Sequence, residues 1–354
     1  MGSSATGTLD EAYHRLHATG PEFGGYLSNH GPMAAEAMVR HGHAETVHRW
    51  LDEYMRRLEE FPRGTGPIGS NWQDALGDPR RVADWTAYFR REVTEQPWRE
   101  TLTTWWPRLL PGVVAAATHG VIRVGHAVRA LTDDGEDGDH LAELAHGLAY
   151  WAARWQPLPG APAAEPSPTA AHKAVDALDA VPRIADQSGG IGDGLRQLAE
   201  LPGWPAALAS AQPPTSDDEL VSWLAGLVDE AAFRYLRYGH GEGIMLVHSA
   251  TAPNAILRTL PVLDRQLWAP SVAASWAAVA ALTAIYAPAS PADQAELPDA
   301  PAGPQAAEET FARAVEHGDE HVIKFADTAT DVYARTGNGD ALAAAVRATQ
   351  LISR

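Results

Sequence analysis

The sequence predicts an all-α protein, built as a single large helical domain with surface loops rich in proline and alanine. Apolar residues recur at helical spacing through most of the 354 residues, as in amphipathic helices that pack on one another. Alternating runs of β-branched residues, which indicate strands, are hard to find. We expect residues 1–24 to form an N-terminal segment and residues 25–354 to form the helical domain.

The individual helices follow from apolar spacing and from start and stop residues. Segment 34–60 is rich in helix formers and ends before Pro62, and segment 83–95 begins after a Gly-Asp-Pro turn. The same spacing predicts the remaining helices at 98–132, 140–155, 171–180, 193–201, 217–238, 253–264, 271–286, 305–317, 319–335 and 339–352.

Three segments interrupt the helical pattern. Residues 156–169 and 287–305 are too rich in proline and alanine to hold a helix, so we expect linkers or surface loops there. Residues 133–139 form a short acidic run whose order of Asp, Gly and Glu lacks the spacing of an EF-hand. We therefore expect a solvated turn there rather than a metal-binding loop.

Composition excludes several classes of protein. The chain has 45 acidic and 27 basic side chains and a formal charge of −18, which repels the phosphates of nucleic acids. The absence of cysteine excludes disulfides, thiolate nucleophiles, iron–sulfur clusters and cysteine-ligated zinc. The N-terminus lacks the pattern of a signal peptide, and no uninterrupted apolar run reaches about 18 residues, the best being 272–287. We expect a cytoplasmic protein without a membrane partner; its oligomeric state is left open.

Familiar catalytic motifs are missing, whereas histidine is abundant. The sequence contains no P-loop, no GxSxG and no HExxH. The glycine-rich stretch 189–194 has the wrong spacing for a dinucleotide fingerprint, so no motif supports NADPH binding. The 15 histidines permit an all-imidazole metal site, which suits iron, copper, nickel or zinc better than magnesium or calcium.

The first candidate histidines lie in segment 105–131. His119, Arg123 and His126 follow one another at i, i+4 and i+7, so they project from one face of a helix. If that face lines a cavity, His119 is a candidate metal ligand, and Arg123 is a charge partner for an anionic substrate or intermediate. The alternative is a buried histidine bonded to a neighbouring carbonyl, with Arg123 in a salt bridge.

Further candidates lie near the C-terminal end. His248 ends an apolar run and precedes residues that favour a helix starting near Pro253. His321 and Lys324 lie one turn apart in an apolar helical stretch. Only two of the 27 basic residues are lysines, so a lysine retained here indicates that its chemistry is needed. The alternative is that Lys324 extends its amine to solvent.

The N-terminal part of the chain adds one more candidate. His30 precedes a helix that Pro32 is expected to initiate, so it is either a ligand or a surface cap residue. His41, His43 and His48 occur in a strongly charged stretch, and we expect them to be solvated.

These candidate segments resemble the questin oxidase-like family. The resemblance rests on the Asn29-His30 start and on three segments, THGVIRVGHAVRAL at 118–131, HSATAPNAILRTL at 248–260 and HVIK at 321–324. The flanking segments 75–92, 97–112 and 143–155 also resemble bacterial members. The similarity therefore spans most of residues 25–335.

The resemblance implies an oxygen-using enzyme that acts on aromatic polyketides. Fungal relatives open the quinone ring of anthraquinones by Baeyer–Villiger-like or dioxygenase chemistry. The recurrent histidines of the family correspond to His30, His119, His248 and His321, and its recurrent lysine corresponds to Lys324. The further histidines of the fungal pattern, including one at the position of Arg123, are absent, a departure that concerns the substrate more than the core chemistry.

The implied cofactor is Fe(II), with O2 as co-substrate and a small aromatic substrate as partner. Four neutral imidazoles leave the charge of a divalent ion uncompensated, and an ammonium group beside it is repelled. Lys324 must then be a neutral amine, or be carbamylated by CO2. We assign Arg123 and His126 as catalytic residues.

Each ligating imidazole is expected to donate its other N–H to a carboxylate, carbonyl or water. The nearest candidates by sequence are Asp319, Glu320, Glu230 and Asn254.

Two alternatives to the iron-dependent oxygenase stay open. One is a metal-independent or NADPH-assisted oxidoreductase in which the histidines act as general acids and bases. The other is a helical binding or scaffold protein whose histidines are part of the core. Metal analysis separates the first hypothesis from the others, and consumption of O2 with an aromatic substrate separates an enzyme from a scaffold.

Overall fold

The computed structural model describes residues 2–160, 170, 176–211 and 213–353, with side chains from residue 7 onward. These residues are predominantly helical, which confirms the all-α class. In this part of the chain the strands are one two-residue antiparallel pair, β1 (Glu22–Phe23) and β2 (Leu27–Ser28). Most of the predicted loop 156–169, and the first half of the predicted helix 171–180, lie outside the described residues.

The chain divides into two compact units. One comprises Met1–Pro157 with Pro261–Leu263, and the other comprises Leu158–Leu260 with Asp264–Arg354. The division into an N-terminal segment, residues 1–24, and a helical domain, residues 25–354, stays a prediction.

The first unit consists of helices that pack around α7. Helices α4 and α6 both pack along α7, and α1 contacts α2, α3 and α7. The rings of Trp85, Phe89 and Trp105 contact one another between α4 and α5, with centroids 5.0–5.6 Å apart. The helices are α1 (Gly2–His17), α2 (Gly31–Arg40), α3 (Ala44–Tyr54), α4 (Val82–Glu95), α5 (Trp98–Leu109), α6 (His119–Asp133) and α7 (Gly138–Ala153).

Helix α1 was not expected from the sequence. Residues 2–8 are mostly glycine, serine and threonine, which have low helix propensity and hide the helical pattern. Further along, Leu9, Ala12, Tyr13 and Leu16 follow the i, i+3, i+4, i+7 spacing, and all four are buried. The N-terminal residues therefore contribute to the core of the first unit.

The predicted helix 34–60 is two helices with a glycine turn between them. Gly42 has φ +83°, which ends α2 in a left-handed cap. The N–H of His43 donates to Met38 O at 2.8 Å and that of Gly42 to Val39 O at 3.1 Å, the bonds of a Schellman motif. His41 and His43, at this turn, and His48, within α3, are all partly exposed, so each retains contact with solvent as expected.

The helices of the second unit are α8 (Ile191–Glu200), α9 (Trp204–Ala209), α10 (Asp217–Tyr238), α11 (Gly243–Leu246), α12 (His248–Thr259), α13 (Trp268–Tyr286), α14 (Ala306–His317), α15 (Glu320–Thr336) and α16 (Asp340–Leu351). The unit is built around α12 and α15. Helix α12 packs against α10 and α13, and α15 packs against α14, α16 and α12. Residues 287–305 form the expected exposed loop, interrupted by a single short 3₁₀ turn at Gln294–Glu296.

One segment of the second unit has the length and composition of a membrane span. Among the described residues, Arg265–Tyr286 alone passes this test, with a mean hydropathy of 1.4. Because 72% of its apolar window is buried inside the protein, it has the character of the core helix of a soluble protein. The cytoplasmic location stays a prediction.

We expect one buried histidine on α7 to make the first unit sensitive to acid. The ring of His146 stacks on that of His17 with centroids 4.3 Å apart, and it also contacts Phe61. Burial, and then the positive charges of His17 and Arg123, lower the pKa of His146 well below its ordinary value. The folded protein therefore holds this imidazole neutral.

We predict that His146→Leu makes folding less sensitive to acid. In the unfolded chain the histidine regains an ordinary pKa of about 6.5, so below that pH the unfolded state binds a proton that the folded state does not. The free energy of unfolding then falls with pH. Between about pH 7.5 and about pH 5.5, the loss in the wild type should exceed that in the variant by about 1.4 kcal/mol, measured by urea unfolding.

The control is His14→Leu, which removes a histidine whose side chain is 81% exposed. It should keep the acid sensitivity of the wild type. An equal loss of stability in His146→Leu and the wild type would contradict the prediction.

Candidate metal centre

His30 lies at the start of α2, as the sequence predicted. Its backbone N–H donates to the hydroxyl of Tyr54 at 2.6 Å. The side chain of Asn29 secures the same corner, because its oxygen accepts from Gly31 N at 3.0 Å and its nitrogen donates to Gly20 O at 3.1 Å. The alternative of a surface cap is wrong, since the His30 ring is buried and makes no capping hydrogen bond.

His119 begins α6 directly after a strained turn. The predicted helix 98–132 is interrupted there, because Ala116, Ala117 and Thr118 have φ values of 46°, 53° and 67°. Left-handed backbone costs a non-glycine residue about 1–2 kcal/mol. Strain of this kind persists only where surrounding structure imposes it, and it is concentrated at functional sites. The turn directs the His119 ring, whose Nδ1 donates to Ala116 O.

His30 and His119 form a close pair within the first unit. Their Nε2 atoms are 2.6 Å apart, and the two rings are nearly perpendicular. A carbonyl oxygen only accepts hydrogen bonds, so the contact of His119 Nδ1 with Ala116 O places the proton of the neutral ring on Nδ1. Nε2 of His119 therefore carries the lone pair that a metal requires.

His248 is the first residue of α12 in the second unit. The prediction of a helix start near Pro253 is wrong, because α12 begins at His248 and includes that proline. The fully buried ring of His248 donates from Nδ1 to Met245 O at 3.1 Å, which again leaves the lone pair on Nε2. The burial of this ring at the start of a helix depends on tertiary packing and could not be predicted from the sequence.

His321 and Lys324 lie near the start of α15, close to His248. Asp319 caps the helix and also lies 3.3 Å from His321 Nδ1, so it orients that ring. The His248 and His321 ring centroids are 5.7 Å apart. Lys324 Nζ lies 2.8 Å from His248 Nε2.

Lys324 is fully buried, so the alternative that it extends to solvent is wrong. Burial lowers the pKa of Lys324 to about 7, against the opposing influence of Glu320 and Asp319. A neutral amine is therefore well populated near neutral pH.

The expected hydrogen bonds behind the ligands are present for three imidazoles. Nδ1 of His119 and of His248 each meets a backbone carbonyl, and Nδ1 of His321 meets the carboxylate of Asp319. Asp319 was one of the expected partners. Asn254, another, instead donates to Asp331 at 3.2 Å.

The structure places Arg123 and His126 in buried ion pairs. Arg123 makes a two-pronged contact with Glu143, at 2.5 and 2.8 Å. His126 Nδ1 lies 2.7 Å from Glu36, which also contacts Arg129. The salt bridge considered as the alternative for Arg123 is therefore present, and the catalytic roles of Arg123 and His126 stay predictions.

The two carboxylates of these pairs were not among the residues predicted from the sequence. Glu36 lies in the apolar segment PMAAEAMV and Glu143 in LAELAHGLAYW, both almost fully buried. A carboxylate inside an apolar helix face requires a buried cation, and this was the signal available in the sequence.

His30 and His119 in the first unit, and His248 and His321 in the second, are buried histidines whose ring nitrogens could bind a metal ion. A family model described as Questin oxidase-like matches residues 48–329. The chain belongs to the questin oxidase-like family. Three of the histidines and Lys324 lie within the matched residues, and His30 precedes them. No curated protein matches the chain. Membership in the questin oxidase-like family implies an oxidoreductase and suggests an oxidase of the aromatic polyketide type.

The strained turn before His119 generates a testable prediction. Glycine adopts left-handed backbone without the steric penalty of alanine. Ala116→Gly and Ala117→Gly should therefore leave the free energy of unfolding unchanged or raise it, by up to about 1 kcal/mol each. Chemical denaturation measures the change.

The matched control is Ala87→Gly, on the exposed face of α4. Because that position is regular helix, the same substitution should cost about 1 kcal/mol. Equal destabilisation at all three positions would show that the turn is not strained in solution.

Proposed function

We propose that this protein is a non-haem, iron-dependent oxygenase that acts on an aromatic polyketide or anthraquinone-type substrate. The observation that carries the proposal is the orientation of the buried imidazoles. In His119, His248 and His321, an oxygen acceptor at Nδ1 leaves Nε2 as the metal-binding atom. This pattern supports a metal site more strongly than it supports core packing.

The donor set fits iron. Neutral imidazoles suit iron and other transition metals, whereas magnesium and calcium prefer oxygen ligands. His30, His119, His248 and His321 would hold the ion, and all four are neutral ligands, although Asp319 and Glu320 lie beside the His321 ring. When bound, Fe(II) would supply the activation of O2. The proposed chemistry is oxidative cleavage of an electron-rich aromatic ring, with a Baeyer–Villiger-like or a dioxygenase outcome.

Lys324 would compensate part of the positive charge that four neutral imidazoles leave on a divalent ion. Its nitrogen is within 2.8 Å of His248 Nε2, in an environment that favours the neutral amine. A neutral amine adds to CO2, with formation of an N–C bond and release of one proton to solvent. The resulting carbamate provides a hard anionic oxygen and cancels part of the charge of the ion. We therefore propose a carbamylated Lys324.

The ion pairs of α6 suggest how Arg123 and His126 act. Both hold α6 to neighbouring helices through Glu143 and Glu36. Because His119 is the first residue of α6, we propose that they contribute to the reaction by positioning this ring. We also propose a cytoplasmic location, a small aromatic molecule as substrate, and neither nucleic acid nor membrane as partner.

The direct test combines metal analysis with oxygen consumption. Protein purified without chelator should contain iron and should consume O2 in the presence of an anthraquinone. Removal of the metal should abolish O2 uptake, and added Fe(II) should restore it. Activity that persists without metal would favour the metal-independent or NADPH-assisted alternative, and the absence of both metal and activity would favour a scaffold.

We predict that Lys324→Arg lowers metal content and oxygen-dependent turnover together, while the helical fold persists. A guanidinium stays charged, so it can neither ligate the ion nor form a carbamate, and it places a fixed positive charge beside the imidazoles. Elemental analysis, O2 uptake and circular dichroism measure the three properties. Native mass spectrometry of the wild type should show the added mass of one CO2.

Lys173→Arg is the matched control, since it makes the same change at the one other lysine, which lies outside the described residues. It should alter neither metal content nor turnover. An active, metal-replete Lys324→Arg enzyme would refute the proposed role of Lys324.

A further inference from the structure

A second cluster of potential ligands lies within the first unit, where α1 meets the start of α7. It consists of Asp10 on α1, Asp137 immediately before α7, and His140 in the first turn of α7. One ligand atom from each of the three residues lies within 4.8 Å of the others. The acidic run 133–139 lacks an EF-hand spacing, but the fold adds to it a carboxylate and an imidazole from outside.

The hydrogen bonds of His140 determine which ring nitrogen is available. Its side chain is completely buried. Nδ1 donates to Gly135 O at 2.9 Å, and Asp137 Oδ2 lies 3.2 Å from the same nitrogen as an ion-pair contact. The proton of the neutral ring is therefore on Nδ1, and Nε2 carries the lone pair. A histidine held in this way is oriented as metal-binding histidines are.

A carboxylate oxygen lies beside this nitrogen. Asp10 Oδ1 lies 3.3 Å from His140 Nε2, but the two are not aligned as a hydrogen bond, and neither buried atom has a hydrogen-bond partner among the described residues. Two ligands bound to one ion at about 2.1 Å are about 3.4 Å apart in tetrahedral geometry. The observed spacing matches this arrangement. Burial, and then the charge of Asp137, raise the pKa of Asp10.

We propose that Asp10, Asp137 and His140 form a separate site for a divalent transition-metal ion of the Zn²⁺ or Mn²⁺ class. Two carboxylates balance the charge of the ion, and an imidazole ligand selects against magnesium and calcium. The Asp10 and Asp137 side chains are 34% and 41% exposed, so the ion is reached from solvent and water completes its coordination.

This site would fasten α1 to α7 in the first unit. Asp137 already caps α7, because its Oδ1 accepts from the N–H groups of Asp139 and His140 at 2.9 and 3.0 Å. An ion held jointly by Asp10 and α7 adds a link that the unfolded chain lacks. Bound metal should therefore raise the thermal midpoint of the protein by mass action.

The test measures Zn²⁺ bound by the full-length protein after equilibrium dialysis, compared between variants. Zn²⁺ also has access to the four-histidine group, so the readout is the difference from wild type. Asp10→Asn keeps the size of the side chain and removes a charged ligand oxygen. We expect it to bind one equivalent of Zn²⁺ less than the wild type, because the affinity of this site falls by about tenfold or more.

Asp139→Asn is the matched control, because it removes the same charge from the same acidic run without removing a proposed ligand. It should bind as much Zn²⁺ as the wild type. Asp137→Ser supplies a second test that retains a helix-capping residue, and it should lose the same equivalent as Asp10→Asn. Unchanged binding in both ligand variants would show that Asp10 and His140 form an ion pair only, and equal loss in Asp139→Asn would show unspecific binding to acidic residues. Either result would overturn the proposal.

Discussion

The candidate metal centre depends on one kind of hydrogen bond, from imidazole Nδ1 to an oxygen that can only accept. Without that bond a buried imidazole exchanges its proton between two nitrogens, and neither lone pair is reserved for an ion. His119 and His248 obtain it from backbone carbonyls that lie three residues earlier in the chain, and His321 obtains it from the capping Asp319. Each of these three histidines is thus oriented by a group within three residues of it in the chain, at a point where a helix begins.

Helix starts suit this task because they leave side chains free to point away from the regular helix face. His30 immediately precedes α2, His119 and His248 are the first residues of α6 and α12, and His321 is the second residue of α15. The position of His119 requires a left-handed backbone conformation in the three preceding residues, none of which is glycine. The strain is tolerated because α6 is secured elsewhere along its length.

Buried charge provides that support. Glu143 holds Arg123 and also His17 of α1, and Glu36 holds His126 and Arg129. Burial alone would raise the pKa of Glu36, but Arg129 and His126 outweigh it and lower that pKa. Such pairs contribute little net stability, yet removing one partner leaves a buried charge uncompensated, at a cost of about 3–5 kcal/mol. They therefore enforce one arrangement of α1, α2, α6 and α7.

The sequence by itself determined the helical class, the family, and the residue types of the candidate centre. Helical periodicity is a local property, and Pro32 marked the start of α2 correctly. Tertiary structure alone decided the rest. No local preference predicts left-handed backbone at Ala116 and Ala117, and the carboxylate partners Glu36 and Glu143 lie far along the chain from the residues they neutralise. Orientation, burial and charge pairing arise only when distant segments pack together, and so they could not be obtained from spacing.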